Sequence, residues 1–453
     1  MARTLETEVD VLGKYKELLN GLDPLRPMGR VLQVTGMSII TEGPPEARIG
    51  DLCKIQLNDK GEFLTCEVVG FQGHHLVQMP MGTPDRVFPE AGVLALGRRM
   101  TIPVSDQLLG RVLDGLGRPL DGRPPIISAE NRNAEQSPPN PIQRPPIRSV
   151  LETGVRSIDS MLTIGAGQRM GIFAGTGVGK STLLGMIARY TQADVNVICM
   201  VGERSREVRE FLESDLGEEG LRKSVVFAST NDVSAMEKVY AANFAMSVAE
   251  YFRDKGLQVN LYMDSLTRYC HALREIGQNS GEQQGPSGYP PGVWLRLGRL
   301  LERAGTAPGG GSITGLFTVL VEADDMNEPV ADHARGILDG HMVLSRRLAH
   351  RGHYPSIEVH ESVSRVMDKV ITAEHKTAAD RLKKLISAYN DNEELINLGA
   401  YPSGSNESVD EYLAKRSQIN SFLQQPVAEQ ARMTQSLSRL QQMMSIQQED
   451  DFY

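Results

Sequence analysis

A surplus of positive charge is missing from this chain: 48 lysines and arginines stand against 57 aspartates and glutamates, for a formal charge of −9. A groove for a nucleic-acid backbone ordinarily carries basic excess, so the bulk balance speaks against DNA or RNA as the main ligand. Cysteine is scarce. Cys53, Cys66, Cys199 and Cys270 are far apart in sequence and form no C-x-x-C pair, which signals neither a zinc site nor a disulfide framework and fits a reducing cytoplasm. Cys199 and Cys270 sit among apolar neighbours and read as small core residues. No run of 18 apolar residues occurs, so no segment is expected to cross a membrane. The opening Met1-Ala-Arg-Thr-Leu-Glu-Thr-Glu has no apolar core of a secretory signal. Any membrane role is expected to come through partners.

What is present is the balance of a soluble globular protein, with 40% hydrophobic and 23% charged residues over 453 positions. That length suggests about three domains. Leu5, Val9, Leu12, Tyr15 and Leu19 recur at helical spacing and predict an amphipathic helix within residues 1–24, either packed on its own domain or docking a regulatory partner. Residues 25–95 change to short alternating strands. Cys53, Ile55 and Leu57 alternate with Lys54 and Gln56; after the Asn58-Asp59-Lys60-Gly61 turn, Leu64, Cys66 and Val68 alternate with Thr65 and Glu67. The pattern predicts a small closed β-barrel without chemistry of its own.

A second, larger domain is expected over 96–370. Its early part, 119–146, holds eight of the 24 prolines and reads as an extended strap. From Gly171 onward, apolar strand-like runs at 171–174, 195–201, 225–229, 259–263 and 313–321 alternate with helical segments. That alternation predicts an α/β fold, a parallel sheet covered by helices. Residues 371–453 read as a helical domain, with Ala378, Leu382, Leu385 and Ile386 on one stripe and a Gln- and Met-rich end fraying into a mobile tail.

Ala174-Gly175-Thr176-Gly177-Val178-Gly179-Lys180-Ser181-Thr182 follows a strand and opens a helix. A polyphosphate needs many converging N–H donors. Glycines let the backbone curl around it, and the helix adds its positive end. Lys180 would neutralise the β- and γ-phosphates of ATP, and the Ser181 hydroxyl would bind Mg²⁺. The first position is Ala174 where the strict pattern has glycine; small size is what the position requires.

Val259-Asn260-Leu261-Tyr262-Met263-Asp264 is an apolar strand ending in a carboxylate. At the crevice end of a parallel sheet, Asp264 would hold the Mg²⁺ shell opposite Ser181, or merely cap the next helix. The strand from Val195 ends in Gly202-Glu203-Arg204. Glu203 is the best-placed carboxylate to orient and deprotonate water. Arg204 would sit near the developing phosphate charge or pair with a neighbouring acid. Taken alone, the tripeptide fits an ordinary ion pair equally well.

These motifs, in order with Ser362-Val363-Ser364-Arg365-Val366, resemble the catalytic subunits of rotary ATPases and, more closely, the flagellar and type III protein-export ATPases. The likeness extends to Thr153-Gly154-Val155-Arg156-Ser157-Ile158-Asp159, Asp264-Ser265-Leu266-Thr267-Arg268-Tyr269, Gly288-Tyr289-Pro290-Pro291, Leu300-Leu301-Glu302-Arg303-Ala304-Gly305, Ile337-Leu338-Asp339-Gly340-His341 and Gly399-Ala400-Tyr401. It covers about residues 25 to 425. The resemblance implies a RecA-like P-loop domain, preceded by the barrel and followed by the helical domain. It also implies that Arg365 reaches into the neighbouring subunit's site and that Tyr354 stacks on adenine.

The implied function is MgATP hydrolysis by a homohexamer that energises export through a flagellar-type secretion apparatus. Implied partners are a regulator at the N-terminal helix, a central stalk protein, export chaperones and their substrates. The implied place is the cytoplasm, peripheral to an inner-membrane export gate. One loop departs from the family pattern: Gly281-Glu282-Gln283-Gln284-Gly285-Pro286-Ser287, then Gly288-Tyr289-Pro290-Pro291-Gly292-Val293-Trp294, where Gly-Glu-Pro-Pro-Ala-Thr and Gly-Tyr-Pro-Pro-Ser-Val-Phe are common. It leaves partner contacts there open.

Alternatives are a virulence injectisome ATPase, a hexameric RecA-like nucleic-acid translocase, and a nucleotide-binding ring subunit without turnover. The flagellar machine is favoured over the injectisome by likeness around Gly110-Arg111-Val112-Leu113-Asp114-Gly115 and 340–348. The translocase would need a basic, base-stacking barrel, which residues 29–80 lack. Intact Lys180, Glu203 and Asp264 speak against the silent subunit.

Overall fold

The computed structural model describes residues 28–321 and 325–445. The helix predicted within residues 1–24 and the end of the predicted tail lie outside the described residues. The chain divides into two compact units, one ending at Met100 and one beginning at Thr101.

In the first unit β1 (Gly29–Thr35), β2 (Ser38–Glu42), β3 (Leu52–Gln56), β4 (Phe63–Gln72), β5 (His75–Pro80) and β6 (Gly92–Ala95) close in the order β1-β2-β5-β4-β3-β6. Side chains alternate across a strand, and the alternation read from the sequence decides which set fills the barrel. Val31, Ile39, Cys53, Ile55, Cys66, Val68 and Val93 form its core. Between β3 and β4, Asn58 Oδ1 accepts from the Lys60 amide at 2.9 Å, the self-bonding that makes Asn a turn residue. Cys53 and Cys66 stand opposite each other across β3 and β4, both as free thiols. Burial pushes the Cys53 thiol up to about 11 and that of Cys66 higher still, so both behave as packing residues.

The second unit begins with β7 (Thr101–Pro103), β8 (Arg111–Asp114), β9 (Asn131–Asn133), β10 (Val150–Leu151) and β11 (Ile164–Gly165). It continues with β12 (Arg169–Ala174), β13 (Val195–Glu203), β14 (Ser224–Thr230), β15 (Gln258–Asp264), β16 (Gly305–Thr306), β17 (Ser312–Leu320), β18 (Gly340–Leu344) and β19 (Val363–Ser364). The main sheet runs β19-β18-β12-β17-β15-β13-β14-β8, parallel from β18 to β8, with β19 antiparallel at one edge. β13 is buried at all its positions, as an apolar strand covered on both faces must be. The proline-rich strap supplies only β9, which pairs with β7, and a 3-10 turn at Pro141–Gln143. Its far end is tied down where Arg144 donates to the Ala304 carbonyl at 2.8 Å.

The helical C-terminal part comprises Ala373–Asn397, Glu407–Leu423 and Met433–Met444. Ala378, Leu382, Leu385 and Ile386 are buried, as the 3.6-residue period requires. They join one continuous core with Leu183, Leu184 and Ile187 of the helix that follows the phosphate loop. Arg156 adds a polar clamp: its guanidinium donates to the Phe422 and Gln424 carbonyls at 3.2 and 3.0 Å and pairs with Glu429. Among the described residues no helix is long and apolar enough to cross a membrane.

Candidate active site

The loop between β12 and the helix Lys180–Tyr190 curls because glycine occupies its left-handed positions, Gly177 at φ 77° and Gly179 at φ 85°. Gly179 is also constrained from outside: a Cβ there would lie 3.4 Å from ring carbons of Tyr354. The first backbone bond of the helix joins Leu183 N to Gly179 O at 3.0 Å. The amides before Leu183 therefore stand outside the helical ladder, where an anion can collect them. Ser356 Oγ donates to the Val178 carbonyl at 2.6 Å and pins the loop to the Tyr354 segment. The Gln425 amide donates to the Tyr354 carbonyl at 2.9 Å and links that segment to the C-terminal part.

Three sequence-predicted residues converge at the carboxyl ends of the strands. Lys180 Nζ lies 2.5 Å from Asp264 Oδ1 and 3.8 Å from Glu203 Oε1. All three side chains are largely buried. Two carboxylates around one ammonium leave a negative excess where water is scarce, which is costly without a proton or a further cation. Glu203 responds accordingly. Burial, then the Asp264 charge, then a hydrogen bond with Glu207 raise its carboxyl to about 7, against the pull of Lys180.

Ser181, next to Lys180 in sequence and exposed in the first helical turn, carries a candidate hydroxyl for a cation. Among the described residues no group of three or more His, Cys, Asp or Glu could hold a metal alone. The donors present, one hydroxyl and one carboxylate, fit a hard cation that draws its remaining ligands from phosphate and water, as Mg²⁺ does.

Other predicted residues lie elsewhere. Thr182 turns its hydroxyl to Asp215, which leaves its backbone amide for a phosphate. Arg204 points outward, its side chain 76% exposed and paired with Glu207 at 3.2 Å. Of the two roles open to it in the sequence, the structure displays the ion pair. Tyr354 is half-exposed against the loop.

Arg365 is far from its own cradle. Ser364 pairs with Gly340 at the start of β18, whereas Leu344, four residues on, pairs with Ala174 at the loop. At about 3.3 Å per residue that is about 13 Å along the sheet. The exposed Arg365 side chain instead donates to the Leu338 and Arg335 carbonyls at 3.2 and 3.4 Å.

Three neighbours have no role predicted from the sequence. Ser356 holds the loop, Thr318 Oγ1 donates to Asp264 Oδ1 at 2.7 Å, and the Arg268 side chain packs against Gly202 while donating to Asn231 Oδ1 at 3.2 Å. Each is an ordinary residue in sequence; the sheet order brings Thr318 to the site, and the helix Leu266–Asn279 carries Arg268 there.

Glycine-rich loop, lysine, strand-end aspartate and glutamate on a parallel sheet define a P-loop nucleoside-triphosphate site. Residues 154–364 match the nucleotide-binding domain of the ATP synthase alpha/beta family, and residues 371–442 match the T3SS EscN ATPase C-terminal domain. The chain belongs to the family of flagellar and type III secretion ATPases.

Among its relatives, the flagellum-specific ATP synthase of Bacillus subtilis (strain 168) is 48% identical over 419 residues, 92% of this chain and 95% of that protein. The type 3 secretion system ATPase of Xanthomonas euvesicatoria is 46% identical over 401 residues, 88% and 90% of the two chains. The structure of the assembled ATPase EscN from the enteropathogenic E. coli type III secretion system has a TM-score of 0.87 at 41% identity, covering 92% of this chain and 100% of that one.

The raised Glu203 carboxyl makes a testable pair of expectations. In the general-base role expected of it from the sequence, Glu203 must be unprotonated, so kcat/KM for ATP should climb as pH rises through about 7. Glu203→Gln should keep nucleotide binding, lose phosphate release and lose that pH step. Wild-type turnover in Glu203→Gln would remove this residue from the chemistry.

Proposed function

We propose that the chain hydrolyses MgATP where two copies of itself meet in a homohexameric ring, and that the ring energises protein export through a flagellar-type secretion apparatus. The observation that carries the reading is the separation of Arg365 from its own cradle. An exposed arginine about 13 Å along the sheet from the loop supports a role at a neighbour's nucleotide rather than at its own.

In this scheme the loop amides from Gly175 to Thr182 and the Lys180 ammonium bind the phosphates, and the Tyr354 ring packs on adenine. Ser181 and Asp264 would hold Mg²⁺, whose chemistry there would be to offset the negative charge of the phosphates. Glu203 accepts the proton of the attacking water. The partner copy's arginine meets the charge that develops on the transferring phosphoryl group.

Because one chain provides both Glu203 and Arg365, a ring of identical subunits suffices. EscN has been solved with its central stalk EscO; a comparable stalk in the ring, a regulator on residues 1–24, and export chaperones with their substrates are the partners proposed here. The ring would work in the cytoplasm, peripheral to an inner-membrane gate.

Likeness to secretion ATPases at 44–46% identity, beside 45–48% for the flagellar ones, keeps the injectisome as the second reading. Deleting the gene should stop swimming, and a Lys180→Ala copy should fail to restore it. Normal swimming with loss of an injected protein would assign the chain to the injectisome. Strong stimulation of ATPase activity by RNA would favour a translocase instead.

A further inference from the structure

We propose that Thr318 is a positioning residue for the Asp264 carboxylate, holding it in place when Lys180 turns to a phosphate. The inference rests on the nucleotide-site reading above and deepens it. β17 runs between the phosphate-loop strand and the Asp264 strand: Ile172 lies opposite Thr318 on one side, and Met263 lies opposite Phe317 on the other. The residue after Phe317 therefore arrives beside Asp264.

Its neighbours Leu316, Phe317, Val319 and Leu320 are apolar. A fully buried β-branched position in such a strand needs only the shape of valine. A hydroxyl there is unfavourable unless it is bonded. Thr318 Oγ1 has a long 3.4 Å approach to the Met263 carbonyl and a 2.7 Å bond to Asp264 Oδ1.

Lys180 contacts that same oxygen at 2.5 Å. Two donors thus converge on Oδ1, and Oδ2 takes part in neither bond. The donors differ in kind. Lysine carries its charge on a flexible four-carbon stem, whereas threonine on a central strand has a stiff χ1. Once the ammonium bonds a phosphate, the threonine hydroxyl is the fixed donor left on Oδ1 and holds the carboxylate in place. Removing an outer partner of a metal-binding group typically costs about 10–100-fold in metal affinity or activity.

The test measures binding of a fluorescent ATP analogue in EDTA and across a Mg²⁺ titration. It compares wild type, Thr318→Val and Thr318→Ser, each checked by thermal unfolding, with Thr318→Ala as a second hydroxyl-free variant should valine fail to fold. Binding in EDTA should be alike in all. The Mg²⁺ needed for half of the metal-dependent change should rise about tenfold or more without the hydroxyl and stay near wild type with serine. A hydroxyl-free variant with wild-type Mg²⁺ dependence overturns the proposal. So does a serine variant as impaired as valine, because shape rather than the hydroxyl would then matter. Wild-type binding that ignores Mg²⁺ altogether would overturn both this proposal and the site reading beneath it.

Discussion

Lys180→Ala should reduce ATP turnover to background in a chain that still folds. The ammonium lies within 4 Å of both buried carboxylates, Asp264 at 2.5 Å and Glu203 at 3.8 Å. In the proposed mechanism it has a second task, neutralising β- and γ-phosphate oxygens, which no backbone amide does with a full charge. Loss of a single neutral preorganised donor costs about 10²–10³ in rate, and a full charge at a phosphoryl centre is worth more. Removing it also sets two like charges face to face. One of them then holds a proton, and Glu203, already raised to about 7, is the group that takes it. A base that is protonated cannot accept another proton, so both effects act in the same direction. Phosphate release by Lys180→Ala at the wild-type rate would refute the site as described.

Arg365→Ala should lose about 10³–10⁵ in turnover, the range over which a trans arginine acts in other phosphoryl-transfer enzymes, with nucleotide binding to the isolated subunit retained. The second half of that expectation follows from position. The guanidinium touches carbonyls of residues 335 and 338 and not its own loop. Mixed assembly separates this account from a simple folding defect. When Arg365→Ala subunits co-assemble with Lys180→Ala subunits, some interfaces combine an intact loop from the first with an intact arginine from the second. Those interfaces should regain activity that neither variant shows alone. No recovery despite proven co-assembly would count against the shared site.

Much of this architecture was readable before any coordinates, for physical reasons that differ by region. The barrel announced itself because one side of each strand must be apolar: Cys53, Ile55, Cys66 and Val68 all point inward. The phosphate loop was legible because its backbone geometry demands glycine, as the left-handed Gly177 and Gly179 illustrate. Long, fully buried strands such as β13 left unmistakable apolar runs.

Short strands did not. β8 and β18 have four and five residues, too few to carry a period, and they join the sheet through long-range pairing alone. The same limit hid Thr318 and Ser356, whose partners lie 54 and 178 residues away in sequence. Arg204 is legible only as a pair of alternatives. Its place beside Glu203 in sequence leaves open a position near the phosphate or a pair with a neighbouring acid, and its guanidinium pairs with Glu207. Arg365 and Tyr354 carried no signal in spacing. Only the family resemblance marks them; Arg365 lies far from its own loop and Tyr354 lies against Gly179.

Specific ATPase activity measured across a wide range of protein concentration, with mass in solution determined on the same samples, tests the central claim most directly. Activity per subunit should be low where the chain is monomeric and rise together with the fraction in multi-subunit assemblies. Full activity from a species that remains monomeric at every concentration would contradict it.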